Sequence, residues 1–534
     1  MRENARVPGF WGTIKNKEEL AARLQLDNDT KNKELLKKGY QCLGNDFFEK
    51  INGLFGLVIK DRDKYVLVRD RFGARSLYYA VLPDGQVLFA ESIGDILKTG
   101  QVKKAFREDL LGLYLSFSYL PGNETFFKGI YKVMPGYIYE IENGRVKKSR
   151  YFTPHMRPDE NLTFAEHANR LQAVLEEVLA DSCGIERADP EAEGSRLSKL
   201  TDNIGQGGEK RTASLLSSGV DSSLMGLKLK VSDTYTADYE NENFSEAALA
   251  ESMSRTIGAV HHRCVIGPES YLACVGETMA ELEQPTGDAS AEVLYLMGQM
   301  IARDYDSCFS GEGIDELFYG YYYGDVIEMP EGRSLKDIEC IGTTQLMSED
   351  EKREILLTPG GRDKMELCEE AYALTAGMKP ICQMAMLDLL LWFEGNILRN
   401  VDRIGRGHGL TMVTPYLDNR LLEVALSIPA QYSVDQKLTK RAFRQADSAW
   451  LDKDVAMRAK KGFPVPIRLW IRRPDFEAEI KRAFASETAG RFFRSEKLLA
   501  IYEAYLKDEN DSWHWRQIWN IYCFIIWYEG AFLN

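Results

Sequence analysis

Three patterns in the 534 residues predict an α/β fold in two parts, a β-rich first domain and a parallel-sheet domain that ends in helices. Short β-rich runs crowd between Glu49 and Phe152, apolar strands alternate with helical stretches from Thr212 to Gly311, and beyond Tyr321 the pattern is mostly helical. At roughly 100–200 residues per domain, the length accommodates about two to four domains.

In the first part, "LFGLVI", "KYVLVRD", "SLYYAVL" and "QVLFAES" are separated by turn clusters such as Lys60-Asp61-Arg62-Asp63 and Asp84-Gly85, as in a meander or sandwich. A later stretch, "GIYKVMPGYIYEIENGRVKKSRYF", places Asn143-Gly144 between alternating segments, a strong hairpin signal, and ends the domain near Phe152. From Thr163 the apolar spacing becomes helical, opening on the capping-box pair Thr163 and Glu166. Residues 184–210 are polar, contain glycine and lack periodicity, and are expected to form a poorly ordered surface insertion.

Beyond it, "TASLL", "DTYTADY", "HHRCVI" and "SCFSG" read as strands, with helices from Ser222, from Ser245 and over "AEVLYLMGQMIARD". Such alternation predicts a parallel sheet with helical crossovers.

Composition excludes several classes. No apolar run nears the ~20 residues of a membrane span, and the N-terminus lacks the apolar segment of a secretory signal, so a cytoplasmic protein without membrane contact is expected. A net charge of −14 argues against nucleic acid as a partner. The nine cysteines, from Cys42 to Cys523, include no C-x-x-C pair, and reduced thiols are expected.

The segment "SLLSSGVDSS", residues 214–223, ends a strand and enters a helix, so hydroxyls, a glycine and free N–H groups meet at a helix N-terminus. Those are the elements of an anion site. Asp221 would repel a phosphate unless a divalent cation lay between them, which suggests a Mg²⁺-bound polyphosphate; a Ser/Gly turn in which Asp221 or Ser222 only caps the helix accounts for the stretch as well. A second strand-end loop, "SCFSGEGIDELFYGY", carries Ser310, Glu312, Asp315 and Glu316. Ligands collect at the carboxyl ends of parallel strands, so the two loops are expected to converge, with Asp221 and Asp315 sharing a metal and Glu312 accepting a proton from an attacking amine.

At these residues the chain resembles the asparagine synthetase family, whose synthetase domain is a pyrophosphate-loop (adenine nucleotide α hydrolase-like) ATP enzyme. "LLSSGVDSS" is similar to its L-S-G-G-x-D-S-S, with Ser218 in place of a glycine, and "SGEGIDELFYGY" to its S-G-E-G-S-D-E. "RNVDRIGRGHGLTMVTPYLDNRLLEVALSIP" and "RAKKGFPVPIRLWI" match two further segments, and "NGLFGLVI", "RDRFGARSLYY" and "FKGIYKVMPG" match the scaffold of the family's Ntn-hydrolase-like glutaminase domain, here shortened. The resemblance implies a degenerate class II glutamine amidotransferase-like domain over residues 1–152 and an ATP-pyrophosphatase domain over 153–534. It implies that Ser217, Ser218, Gly219, Asp221 and Ser222 hold pyrophosphate, that Leu216, Ala237, Ser310 and Gly311 contact the nucleotide, and that Asp221 and Asp315 bind Mg²⁺. Glu312 would deprotonate the attacking nitrogen, and Lys460 would stabilise the acyl-adenylate and the leaving pyrophosphate. His261 and His262 match a family dipeptide, which packing explains equally.

The departures from the family are informative. Arg2 stands where the glutaminase nucleophile, an N-terminal cysteine, belongs; Trp11 and Thr13 replace glutamine-site Asn and Glu, and the first cysteine is Cys42, in a helical pattern. Glutamine hydrolysis is therefore expected to be absent. Thr411 and Val413 replace a Glu and an Arg, which weakens the case for aspartate as acyl donor.

β-Lactam synthetases and lasso-peptide cyclases are relatives that work without glutamine. The former usually carry Tyr where this chain has Glu312, and the shortened first domain favours the latter. The expected activity is an ATP- and Mg²⁺-dependent amide closure on an Asp or Glu side chain, the partner being a carboxylate substrate such as a precursor peptide with its leader-processing proteins. The rivals are an asparagine synthetase using free ammonia, a tRNA-modifying relative, which this acidic chain without paired cysteines does not resemble, and an inactive partner-binding scaffold.

Overall fold

The computed structural model describes residues 5–182, 212–321, 323–458 and 464–533. The insertion expected over 184–210 and the candidate residue Lys460 lie outside the described residues.

The first part is built from β1 (Arg6–Ile14), β2 (Gly53–Asp61), β3 (Lys64–Arg69), β4 (Tyr78–Val81), β5 (Val87–Ala90), β6 (Tyr131–Lys132), β7 (Tyr137–Glu142) and β8 (Arg145–Arg150). Five form an antiparallel sheet in the order β1-β2-β3-β7-β8, and three form a smaller sheet, β5-β4-β6. The period of two along β2 divides its side chains between two cores. Phe55, Leu57 and Ile59 pack on Leu35, Leu36 and Tyr40 of helix Asn32–Leu43, while Val58 packs with Leu77, Tyr79 and Tyr139 toward the smaller sheet. The β7–β8 turn is the expected two-residue hairpin: Asn143 and Gly144 take φ of 49° and 74°, as this tight connection requires.

Helix Phe164–Ser182 follows, and its predicted capping box is formed: the Glu166 N–H donates to Thr163 Oγ1 at 3.3 Å and the Thr163 N–H to Glu166 Oε2 at 2.8 Å. The second sheet contains β9 (Ala213–Leu215), β10 (Asp233–Asp238), β11 (Val260–Val265), β12 (Ser307–Phe309) and β13 (Thr411–Val413), all parallel, in the order β11-β10-β9-β12-β13. From central β9 the chain steps one way to β10 and β11 and returns on the other side as β12, so the strand order reverses between β9 and β12. At that switch point the loops leaving the carboxyl ends diverge and open a crevice.

Three elements go beyond expectation. β1 pairs with β2 although its sequence "RVPGFWGTI" does not alternate; helix Pro268–Leu282 lies in the β11–β12 crossover; and β13 interrupts the region read as mostly helical, adding an edge strand beside β12.

The helical part is organised by a continuous helix from Pro380 to Gly407 whose middle, Asp388–Leu398, is wound as π-helix. Among the described residues it alone is long and apolar enough to cross a membrane, with a window of mean hydropathy 1.3, yet 72% of that window is buried inside the protein. It also carries the buried charges Asp388, Glu394, Arg399, Asp402 and Arg403, which mark it as a core helix.

Several of these charges reach the first part. Glu394 accepts from Arg69 Nη1 at 2.6 Å and Lys132 Nζ at 2.8 Å, and Asp402 accepts from Arg75 Nη1 at 2.9 Å and the Ser76 N–H at 3.1 Å.

Candidate functional site

The loop after β9 is held by its own serines. The Ser217 N–H donates to Ser222 Oγ at 3.0 Å, the Ser217 and Ser222 hydroxyls lie 3.0 Å apart, and the Gly219 N–H donates to Ser217 Oγ at 3.0 Å. Gly219 then caps helix Val220–Leu229, so the first N–H groups of that helix face the crevice. Ser218, the residue that departs from the family's glycine, is buried and donates to Glu246 Oε1 at 2.6 Å. Its hydroxyl thus has a built partner, Glu246, which sequence reasoning did not single out.

The loop after β12 closes against the first. A Cβ on Gly311 would stand 3.4 Å from the Ser222 nitrogen, and Ser310 donates to Glu312 Oε1 at 3.1 Å. Between the loops lies a residue the sequence did not flag. Lys440 Nζ is paired with Asp221 Oδ2 and lies 2.7 Å from Asp315 Oδ1. Burial works against its charge, but Asp221 and Asp315 more than offset this and hold the ammonium above its ordinary range.

One point therefore receives an oxygen from each predicted metal ligand and is already a position for a cation. The donor set suits Mg²⁺, which is commonly held by one or two carboxylates and completes its shell with phosphate oxygens and water. The described residues contain no cluster of three or more His, Cys, Asp or Glu able to hold a metal unaided. Tyr416 adds support by donating to the Asp221 carbonyl at 2.8 Å.

These groups line a cavity of about 760 Å³, and every described candidate is on its wall: Leu216, Ser217, Ser218, Gly219, Asp221, Ser222, Ala237, Ser310, Gly311, Glu312 and Asp315. Lys440, Arg444 and Arg458 join them. Arg458 Nη1 donates to the Ser218 carbonyl at 3.0 Å, and Arg444 ties the segment down through the Thr439, Ala456 and Arg458 carbonyls at 2.7–2.8 Å. The quoted segment "RAKKGFPVPIRLWI" begins with Arg458, so a signal existed for it; Lys440 and Arg444 lie in "KLTKRAFR", which reads as an ordinary basic helix start. Beside the pair, Glu316 is buried and accepts from Tyr321; burial and the adjacent Asp315 push its carboxyl up to about 8.

The other residues that the sequence raised lie away from the cavity wall or in the first part. Thr411 and Val413 sit on β13, paired with Ser307 and Phe309, and are not on the cavity wall. His261 and His262 lie within β11, bonded to Thr234 Oγ1 at 3.0 Å and Asp233 Oδ1 at 2.8 Å, and are also off the cavity wall. In the first part, Trp11 lies edge-on to Phe89 at 6.3 Å and covers Gly9, where a Cβ would come 2.6 Å from the indole; Cys42 is exposed on helix Asn32–Leu43.

Comparison with known proteins agrees with this architecture. The family profile described as "Asparagine synthase" matches residues 208–529, and one described as "Glutamine amidotransferase domain" matches residues 3–152. The chain is 24% identical to asparagine synthetase [glutamine-hydrolyzing] 1 of Bacillus subtilis, over 97% of this chain and 84% of that protein. It is 26% identical to a putative asparagine synthetase [glutamine-hydrolyzing] of Mycobacterium tuberculosis, over 93% and 79% respectively. Among solved structures, a glutamine phosphoribosylpyrophosphate amidotransferase from B. subtilis covers 50% of this chain and 71% of its own, with 13% identity and a TM-score of 0.24, too remote to carry an argument. With one profile spanning more than half of its length, the chain belongs to the asparagine synthase family of ATP-dependent ligases that form carbon–nitrogen bonds.

Proposed function

We propose that the protein activates a carboxylate with ATP and transfers the acyl group to an amine without hydrolysing glutamine, closing an amide as a lasso-type macrolactam synthetase does on an Asp or Glu side chain. The observation that carries this is the convergence of the β9 and β12 loops on one cavity, with Asp221, Asp315 and Lys440 at one point and Glu312 beside them. In this reading residues 153–534 form the ligase unit and residues 1–152 a domain that has lost its hydrolytic role.

Two bond changes follow. The substrate carboxylate oxygen bonds the α-phosphorus of ATP while the bond to the bridging oxygen breaks, releasing pyrophosphate. The amine nitrogen then bonds the acyl carbon, the bond to the AMP oxygen breaks, and Glu312 takes the nitrogen's proton. The Ser217, Gly219 and Ser222 cradle and the helix N-terminus hold the phosphates, Leu216, Ala237, Ser310 and Gly311 border the nucleoside, and Arg458 braces the loop at Ser218. Mg²⁺, when bound by Asp221 and Asp315, supplies charge neutralisation on those phosphates. Lys460 is assigned to the leaving pyrophosphate by family resemblance. In this reading glutamine is not the nitrogen source: Trp11 stands where the family resemblance puts a glutamine-binding Asn, and Cys42 is exposed on helix Asn32–Leu43.

An ATP–pyrophosphate exchange assay with candidate carboxylates tests the proposal. Exchange and AMP formation that do not respond to glutamine, that vanish in Asp221→Ala, and in which Glu312→Gln retains exchange but loses amide product, are expected. A small precursor peptide and a leader protease encoded nearby would agree with the lasso reading. The relatives' names favour one alternative, asparagine from aspartate and free ammonia; AMP release that requires both aspartate and ammonium would select it.

A further inference from the structure

A second cavity, of about 260 Å³, lies where the two parts of the chain meet. The first part contributes β7 and β8 with neighbouring turns, the second contributes the π-helical stretch Asp388–Leu398 and helix Lys364–Leu374, and the described wall residues all differ from those of the larger cavity. A cavity of about 150 Å³ already admits benzene. There is room here for a small organic molecule.

Three cations on this wall each lie over an aromatic ring of the same wall. The Arg71 guanidinium is 4.5 Å from the centre of Phe152, the Arg150 guanidinium 4.7 Å from that of Tyr137, and Lys148 Nζ 5.1 Å from that of Tyr139. The last two pairs are directly opposed in the β7–β8 register, so the hairpin itself sets cation against ring. Such contacts arise about once in 70–80 residues, and three around one cavity therefore make a built arrangement. A ring face fixes a guanidinium in place without using its N–H donors. Some of those donors are answered by protein: Arg71 Nη2 donates to the Glu49 carbonyl at 2.8 Å, Arg71 Nη1 lies 3.5 Å from Glu423, and Arg150 Nη1 lies 2.5 Å from Glu370. The Nε–H groups of Arg71 and Arg150 are buried and meet no acceptor among the described residues. The other wall carboxylate, Glu366, lies 4.0 Å from Arg362. Phe72, Met134, Leu367, Leu389, Leu390 and Phe393 supply apolar surface to the same cavity.

From this arrangement we infer that the junction is a second ligand site, which takes a small carboxylic acid with a compact apolar body: the carboxylate among Arg71, Lys148 and Arg150, the body against Leu389, Leu390 and Phe393. A guanidinium edge and a carboxylate match in a planar, two-bond geometry, and an apolar body gains by leaving water for this wall. The site is separate from the proposed ligase chemistry and is expected whatever the larger cavity binds.

Ligand-observed NMR on the full chain, with benzoate and its uncharged counterpart benzamide as probes, tests this. Benzoate is expected to bind at least about tenfold more tightly than benzamide, the scale of hydrogen bonds to a charged group. Lys148→Met and Arg150→Gln should each weaken benzoate at least about fivefold while leaving benzamide nearly unchanged. Lys147→Met alters a cation of the same strand that is not on the cavity wall and should change neither probe. Leu390→Trp, which fills the cavity, should weaken both, and it keeps the site testable if Arg150→Gln loosens the junction. Benzoate that binds no better than benzamide, that responds to Lys147→Met as much as to Lys148→Met, or that Mg·ATP displaces competitively would overturn the inference, the last by placing benzoate in the larger cavity.

Discussion

Two buried charge clusters of nearly inverse composition set the two functions of this molecule apart. At the junction of the two parts, one carboxylate, Glu394, is shared by two cations, Arg69 and Lys132, and Arg69 is saturated further by the Gly73, Arg75 and Val133 carbonyls at 2.6–3.0 Å. In the cavity, two carboxylates, Asp221 and Asp315, both pair with Lys440. The first is closed, with every side chain nearly inaccessible; the second opens on about 760 Å³ of space. A closed cluster with its partners satisfied ties elements together, whereas paired charges on the wall of an open cavity are candidates for function.

Two substitutions are expected to separate these roles. Asp315→Asn should lower the rate of AMP formation by at least about a hundredfold, because a metal clamp contributes several kcal/mol to charge stabilisation, with the thermal midpoint nearly unchanged since Lys440 keeps Asp221. Glu394→Ala should cost about 3–5 kcal/mol in urea unfolding, the usual penalty for leaving buried cations without their partner. Burial opposes ionisation of Glu394, but Lys132 and Arg69 hold its carboxyl below its ordinary range, so the negative charge is present throughout the neutral region. An unfolded Asp315→Asn together with a stable Glu394→Ala would break the division.

Another buried carboxylate, Glu292, sharpens it by having no cation partner among the described residues. Glu292 is wholly buried on helix Ser290–Ile301, accepts from Tyr271 Oη at 3.1 Å, and is pushed by burial from 4.5 up to about 8. Between those values the folded state keeps a proton that the unfolded chain releases, so this group lowers stability progressively as pH rises from about 4.5 to about 8. Glu292→Gln is neutral at every pH. Its thermal midpoint relative to the parent should therefore rise from pH 5 to pH 8, corresponding to about 1–3 kcal/mol at the upper end; a difference constant with pH would show that Glu292 ionises freely in the fold.

What was legible in the sequence was local. The Asn143-Gly144 hairpin, the Thr163 cap and the two Ser/Gly loops announce themselves within ten residues, because turn and cap chemistry act over that distance. β1 and β13 escaped because "RVPGFWGTI" has no alternation and Thr411–Val413 is three residues long; each is a strand only because a neighbour pairs with it. Lys440 escaped for the same physical reason on a larger scale, being 219 residues from Asp221, as did Glu394, 325 residues from Arg69. The family resemblance reached the cavity's loops residue by residue but singled out none of the side chains that the π-helical stretch adds to the cavity wall, Trp392 and Ile397.

The smallest expected effect joins the two parts to the site. Lys15, just after β1, extends its ammonium to the Pro415 carbonyl at 3.1 Å, the Leu417 carbonyl at 2.9 Å and Asp418 Oδ2 at 3.4 Å, which occupies all three of its N–H donors. These acceptors flank Tyr416, whose hydroxyl holds the Asp221 carbonyl, so the first part braces the segment that backs the proposed metal ligand Asp221. Asp418 would not be stranded by the loss of Lys15, since Arg420 and Asn52 also donate to it at 3.0–3.1 Å. Lys15→Met should thus cost only about 1–2 kcal/mol of stability. If the brace positions Asp221, the variant should also need more Mg²⁺ for half-maximal AMP formation, and Lys15→Arg should recover part of both losses. Unchanged Mg²⁺ dependence alongside the stability loss would confine Lys15 to holding the two parts together.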